Sequence, residues 1–325
     1  MACIFINKTT MAFFSGNKQA DDQDETAKNI FQFELVQKNI LITGSNGQLG
    51  NEIKRVSVNH ENNFKFFFTD VNELDITNRE AVEFYLKENN IKYIVNCAAY
   101  TAVDKAEDDV DLCYKINRDA VANLGVAATN NGAKVIHVST DYVFDGTASN
   151  PYKETDATNP QSVYGQSKRE GERILLETCP QSIIIRTAWL YSIFGNNFVK
   201  TMMKYGKERD ELNVVADQTG TPTNAADLAR AIIRILDFSE AYAFEAGIYH
   251  YSNEGVTSWC DFTIAIHKHA GISCKVNPIT TDQYPTKAKR PQYSVLDKAK
   301  IKSVFDLSIP NWEDSLNICI TELLS

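Results

Sequence analysis

Apolar residues in this chain recur as short runs, and each run is followed by a longer stretch patterned for a helix. Residues 38–43, 64–69, 91–99, 134–139 and 182–187 read as strands: they are short, rich in β-branched and aromatic residues, and bounded by glycine or polar positions. Between them, residues 51–56, 78–89, 109–130 and 162–178 read as helices, the third as one long element. Alternation of this kind builds a doubly wound parallel sheet covered on both faces, an α/β fold whose ligands bind beyond the carboxyl ends of the strands. After residue 188 the pattern loosens. Residues 224–238 read as a helix and 247–253 as a strand, separated by loops with proline or glycine at 217–223 and 287–291.

The first strand breaks into Gly44-Ser45-Asn46-Gly47-Gln48-Leu49-Gly50 and continues directly into a helix. A glycine turn at a helix N-terminus lets a pyrophosphate approach backbone N–H groups at the positive end of the helix dipole. The spacing G-x-x-G-x-x-G departs by one residue from the usual dinucleotide fingerprint, and a purely structural turn is the plainer alternative. The second strand ends in Asp70, twenty residues past Gly50, where an acid would hold an adenosine ribose hydroxyl and repel a 2′-phosphate. That leans towards NAD, although Asp70 could equally cap a turn. The third strand ends in Ala98 and Ala99, small enough for a flat group to lie on the backbone or for tight helix packing. The expected organisation is a Rossmann-type dinucleotide-binding domain over 38–188, completed by about 214–246, with a smaller α/β substrate-binding domain from 189–213 and 247–325.

Tyr164-Gly165-Gln166-Ser167-Lys168 supplies candidate chemistry. Four residues are about one helical turn, so phenol and ammonium can project from one face. An ammonium within ~4–6 Å favours phenolate and would lower the tyrosine pKa by roughly 1–3 units. Alone, the Tyr-x-x-x-Lys spacing is weak evidence. Its place at the carboxyl edge of the expected sheet, beside Thr140 and the glycine turn, is what gives it weight.

A hydrophobic content of 43% over 325 residues is enough for a full core, and a formal charge of −9 argues against nucleic acid or an anionic membrane as partner. No apolar run approaches the ~18 residues of a membrane span. Seven scattered cysteines without a C-x-x-C pair fit reduced thiols in a cytoplasmic protein. Residues 1–37 lack the pattern of a secretory signal and are expected to form a flexible extension. Lys287, Lys289 and Arg290 form a basic cluster in an acidic chain, either a solvated loop or a phosphate clamp.

Taken together, several motifs carry a family resemblance. Gly44-x-x-Gly47-Gln48-Leu49-Gly50, Asn96-Cys97-Ala98-Ala99-Tyr100-Thr101, Ser139-Thr140-Asp141-Tyr142, Tyr164-x-x-x-Lys168, Arg186-Thr187-Ala188-Trp189, Gly195-Asn196-Asn197-Phe198, Asp217-Gln218-x-Gly220-x-Pro222-Thr223 and Arg290-Pro291 stand in the order found in dTDP-4-dehydrorhamnose reductases, which are extended short-chain dehydrogenase/reductases. The chain resembles that family from Lys38 onward. The resemblance implies reduction of the C4 ketone of dTDP-4-dehydro-β-L-rhamnose to dTDP-L-rhamnose by NADPH or NADH. It implies Tyr164 as proton donor, Lys168 as the residue that lowers its pKa and holds the nicotinamide ribose, and Thr140 as hydrogen-bond partner of the substrate carbonyl. The cofactor would lie against Gly44, Gly47, Gln48, Leu49, Gly50, Asp70, Asp75, Ile76, Ala98, Ala99, Tyr100 and Thr101 as well as Tyr164 and Lys168. The nucleotide sugar would meet Thr140, Asp141, Trp189, Asn196, Asn197 and Arg290. For Trp189 the alternative is a core aromatic.

Some members of the family bridge a dimer with Mg²⁺ held by three carboxylates. Glu52 and Glu322 match two of those positions, while the third falls on Ala226, next to Asp227. Loss of one acid argues against the metal, leaving Glu52 as an exposed helix residue and the chain as a monomer or homodimer. His267 and His269, two apart, point to different helix faces and suggest no metal site. Two rivals share the fold: a non-catalytic regulatory subunit like the beta subunit of methionine adenosyltransferase, and a nucleotide-sugar epimerase. Retention of Thr140, Tyr164 and Lys168 together favours a reductase over the regulatory subunit.

Overall fold

The computed structural model describes residues 37–325. The extension expected over residues 1–37 lies, but for Gln37, outside the described residues. In chain order the first half comprises β1 (Lys38–Thr43), α1 (Gln48–Ser57), β2 (Phe64–Thr69), α2 (Arg79–Glu88), β3 (Ile91–Asn96), α3 (Val103–Ala106), α4 (Val110–Tyr114), a π-helical turn (Lys115–Asp119), α5 (Ala120–Asn131), β4 (Lys134–Thr140), α6 (Val163–Thr178) and β5 (Ser182–Thr187). The second half adds α7 (Phe198–Glu208), β6 (Glu211–Val215), α8 (Ala225–Ala241), β7 (Gly247–His250), α9 (Trp259–Ala270), β8 (Lys275–Ile279), α10 (Ala299–Phe305) and α11 (Trp312–Leu324).

Six strands form one parallel sheet in the order β7-β5-β4-β3-β1-β2. Side chains alternate across it, as a two-residue period requires. Ile40 and Ile42 pack with α1, α8 and α10 on one face, whereas Leu41 packs with α2, α5 and α6 on the other. Both faces are therefore covered, which is why the strands are apolar throughout. The strand order reverses between β1 and β3, and the register pairs Thr43 with Asn96 and Thr69, so these strands end level beside the crevice.

Three elements differ from the sequence reading. The helix expected over 109–130 is broken by the π turn at Lys115–Asp119, the strand expected to run to residue 99 stops at Asn96, and that expected over 247–253 stops at His250. That last strand pairs in parallel with β5, so its four residues complete the large sheet instead of joining the smaller portion. Helices α7, α9 and α11 build a separate cluster in which Tyr191, Val199 and Met203 pack on Phe262, Ile266, Trp312 and Leu316. Beside it, β6 pairs with β8 in a two-stranded parallel ribbon.

Candidate active site

A cleft of about 760 Å³ opens along the carboxyl ends of β1, β3, β4 and β5. Its first wall is the glycine turn. Gly44 has φ +65°, and a Cβ there would sit 2.7 Å from the Ala98 backbone, so only glycine lets the two strand ends close together. Helix α1 then starts at Gly47 with no side-chain cap. Its first N–H groups are left for a ligand, which fits the pyrophosphate of a dinucleotide. Asp70 is fixed against this turn: its carboxylate accepts from the Asn46 N–H at 3.0 Å and the Val71 N–H at 2.8 Å. Gly44, Gly47, Gln48, Leu49, Gly50, Asp70, Asp75, Ile76, Ala98, Ala99 and Thr101 all line this part of the cleft. Tyr100 does not. Its hydroxyl turns away to Asp109, at 3.0 Å.

Helix α6 carries Tyr164 and Lys168. Ser162 caps it by accepting from the Gly165 N–H, so Tyr164 and Lys168 fall on the first two turns and face the cleft. Both are buried. Burial pushes the Tyr164 phenol up, and the Thr140 hydroxyl offsets this only in part. This runs against the direction expected from a neighbouring ammonium. The reason is that Lys168 Nζ is turned to the Val138 carbonyl at 2.8 Å and stands 3.3 Å from His137 Nε2. Burial in turn pulls Lys168 down to about 8, with Glu172 opposing. Thr140 donates to Asp141 Oδ1 at 3.0 Å and accepts from the Tyr142 N–H. Asp141 lines the cleft with its Oδ2 unpartnered, and burial pushes its carboxyl up to about 6.

The opposite wall comes from the loop after β5. Trp189 has φ +49°, a left-handed conformation costly for a bulky residue, and it is held there by stacking on Trp259 with ring centroids 3.5 Å apart. It both lines the cleft and packs against the smaller core. Asn197 caps α7 through Oδ1 and donates from Nδ2 to Gln48 Oε1 at 3.0 Å, tying this wall to the glycine turn. Asn196 beside it is exposed to the cleft. Arg290 is not in the cleft wall; its guanidinium is taken by Asp104 and by the Tyr142 hydroxyl. Lys287 of the same basic cluster pairs with Asp108.

Residues 38–325 match the family model described as the RmlD substrate binding domain. The chain is 45% identical over 285 residues to a dTDP-4-dehydrorhamnose reductase of Aggregatibacter actinomycetemcomitans, covering 85% of this chain and 96% of that one. The chain belongs to the dTDP-4-dehydrorhamnose reductase family. Solved members agree: that from Clostridium acetobutylicum superposes with a TM-score of 0.84 at 46% identity, covering 88% of this chain and all of the other. The Bacillus anthracis reductase, crystallised in complex with NADP, gives 0.83 at 40% identity, covering 88% of this chain and 99% of that one. A UDP-glucose 4-epimerase from Thermus thermophilus, at 18% identity and a TM-score of 0.72, shares the fold alone.

Against this family background the carboxylates near α1 are informative. Glu52 is not exposed but 1% accessible, accepting from Ser192 Oγ at 2.6 Å and from Arg55 at 3.0 Å. Arg55 also reaches Glu322 at 3.0 Å, so a guanidinium stands between the two acids. Asp227 is engaged elsewhere, with Ser315, Asn253 and Arg230. Among the described residues no group of three or more metal-ligating side chains is assembled. His267 is buried against the Met202 carbonyl, at 3.1 Å. The six described cysteines are unpaired, and no described helix is long and apolar enough to cross a membrane.

The sequence reading missed the layer behind the cleft. Asn117, in the π turn, accepts from the Tyr100 N–H at 2.9 Å and donates to the Tyr100 carbonyl and to Ser167 Oγ. Asn96 and His137 connect the end of β1 to Lys168. Each reads in sequence as an ordinary helix or strand position. A buried polar residue inside an apolar strand is the one signal that could have marked Asn96 and His137.

Proposed function

We propose that this protein reduces the C4 ketone of dTDP-4-dehydro-β-L-rhamnose to dTDP-L-rhamnose, using NADPH or NADH. The observation that carries this reading is the convergence of Tyr164, Lys168 and Thr140 with the glycine turn in one cleft, in a chain of this family. The glycine turn and the α1 N-terminus would hold the pyrophosphate of a reduced nicotinamide dinucleotide, which would supply hydride to the carbonyl carbon. Tyr164 gives its proton to the carbonyl oxygen as negative charge builds there. A phenol kept protonated by burial is suited to that role, and general acid catalysis contributes typically about 10²–10⁴-fold. Thr140 orients the carbonyl oxygen towards the phenol, and Lys168, one helical turn beyond Tyr164, is assigned to the nicotinamide ribose. Gly44, Gly47, Gln48, Leu49, Gly50, Asp70, Asp75, Ile76, Ala98, Ala99 and Thr101 are assigned to the dinucleotide, and Asp141, Trp189 and Asn196 to the nucleotide sugar. Asn197 acts by holding Gln48.

The dinucleotide portion is assigned to residues 38–188 with 214–246 and β7, and the substrate portion to 189–213 and the rest of the C-terminal region. The Arg55 guanidinium standing between Glu52 and Glu322 supports a chain that works without a bridging cation, as monomer or homodimer. Purified full-length protein given dTDP-4-dehydrorhamnose and NADPH or NADH is expected to consume the reduced cofactor, read as loss of absorbance at 340 nm. Tyr164→Phe should lower kcat at least about 100-fold with cofactor affinity unchanged. No turnover with either cofactor, where cofactor binding is demonstrated, rejects the reductase reading.

A further inference from the structure

Behind the cleft runs a buried chain of side chains that the proposed chemistry does not use. Thr43 Oγ1 donates to Asn96 Oδ1 at 2.6 Å, and the Ala98 N–H donates to the same oxygen at 3.1 Å. A backbone N–H can only donate, so it fixes the Asn96 amide: the oxygen faces Ala98, and Nδ2 faces His137 Nδ1 at 2.9 Å. An amide nitrogen is likewise only a donor. His137 Nδ1 must then be the acceptor, which excludes the imidazolium and leaves the neutral tautomer with its proton on Nε2. That Nε2–H points at Lys168 Nζ, 3.3 Å away. Thr43, Asn96, His137 and Lys168 are all at most 2% accessible, so the arrangement is shielded from bulk solvent.

An N–H directed at an ammonium sets donor against donor, whereas the same N–H directed at a neutral amine finds a lone pair. We propose that His137 is a positioning residue for Lys168: locked as the Nε2–H tautomer by Thr43, Asn96 and Ala98, it presents a donor to the lysine nitrogen and thereby sets the charge on that nitrogen. This rests on the reading of Lys168 as part of the reacting site. The other titratable groups acting on Lys168 are Glu172 on its own helix, Cys113 from α4 and Cys97 after β3, while Tyr164 stands one turn before it on the same helix. Glu172 favours the ammonium but is itself held by Arg186 and Ser139. Burial already draws Lys168 down to about 8 against Glu172, Cys113 and Cys97, and the His137 donor acts on top of that. A lysine poised near the working pH can exchange its proton on each turnover, as proton-transfer groups require.

The tautomer is directly observable. In the ¹⁵N NMR spectrum of the full-length, cofactor-free protein, His137 should show Nε2 protonated and Nδ1 bare near pH 7. Both shifts should move together between pH 7 and 9, and Lys168→Met should abolish that movement. In activity, Asn96→Asp replaces the donor with an acceptor, flips His137 to Nδ1–H and turns the Nε2 lone pair towards the ammonium. The alkaline midpoint of kcat/KM should rise by about one unit, a tenfold change in proton affinity. His137→Leu removes the opposing donor and should also raise it. Asn96→Asp should act less when His137 is already Leu, since only charge then remains. An Nδ1–H tautomer in the unaltered protein, or an Asn96→Asp shift equal with and without His137, overturns the proposal. The NMR result stands whether or not the variants fold. Failure of the reductase assay would leave it untouched, so the two readings can fail separately.

Discussion

Lys168 and Glu172 stand one helical turn apart, both buried, and the difference in their partners decides what each does. Glu172 receives a two-pronged ion pair from Arg186, with Nε at 2.9 Å from Oε1 and Nη2 at 2.7 Å from Oε2, plus the Ser139 hydroxyl. Removing one member of such a pair leaves the other charge uncompensated in the interior, at a cost of about 3–5 kcal/mol. Glu172→Gln should therefore lose that much stability in urea unfolding, whereas Glu172→Met with Arg186→Met should recover most of it. Equal losses in the two would show that the ion pair itself stabilises the fold. At this scale the placing of Tyr164, Lys168 and Thr140 at one sheet edge was legible from the strand and helix pattern, while their roles came from the family resemblance. Their supports were not legible. Arg290 and Tyr100 carry similarly suggestive side chains, yet Arg290 is taken up by Asp104 and the Tyr142 hydroxyl and Tyr100 by Asp109.

Among the elements, the π turn between α4 and α5 has the plainest cause. It inserts an extra residue into the helical winding and swings Asn117 inward to hold both backbone groups of Tyr100. Helix α6 can lie against it only because residue 171 is glycine, where a Cβ would drive into the Asn117 carbonyl oxygen. Gly171→Ala should force the two apart. Overpacking of this kind costs about 1–3 kcal/mol, seen as a lower urea midpoint, and the displaced Tyr100 segment should weaken NADPH binding in a fluorescence titration. Unchanged stability and affinity would show that the close approach is dispensable. The sequence pattern of residues 109–130 reads as an unbroken helix because its apolar period survives the insertion. The break depends on Ser167 and Gly171, which lie about fifty residues away in sequence.

For the molecule as a whole, burial of histidines ties folding to pH. His250 is fully buried, bonded through Nδ1 to the Tyr152 carbonyl, and burial pulls it down to about 3. Between its unfolded value of about 6.5 and that depressed value, the unfolded chain binds a proton that the folded one refuses. Stability is then lost as pH falls, by about 1.4 kcal/mol per unit for one such group. Asp141, raised to about 6, acts in the opposite sense between pH 6 and 4, because its folded form takes up the proton first. Comparing two chains that both retain Asp141 removes that contribution. The stability of His250→Asn should fall more slowly than the parent's between pH 6 and 4, by about 1 kcal/mol per unit in urea titrations. Parallel curves would mean that His250 is protonated in the fold.

What the sequence determined by itself was the alternation of strand and helix, the glycine turn and the Tyr164/Lys168 pair, since each rests on local periodicity or on residues close together in the chain. Family membership followed from the order of such local motifs. The tertiary structure alone decided that β7 completes the large sheet, that Glu52 is buried against Ser192 and Arg55, that Trp189 is held in a left-handed conformation by Trp259, and that Lys168 faces His137. The physical reason is common to all four. Burial, hydrogen-bond polarity and charge are set by what stands opposite a residue, and in this fold those partners come from distant strands and helices.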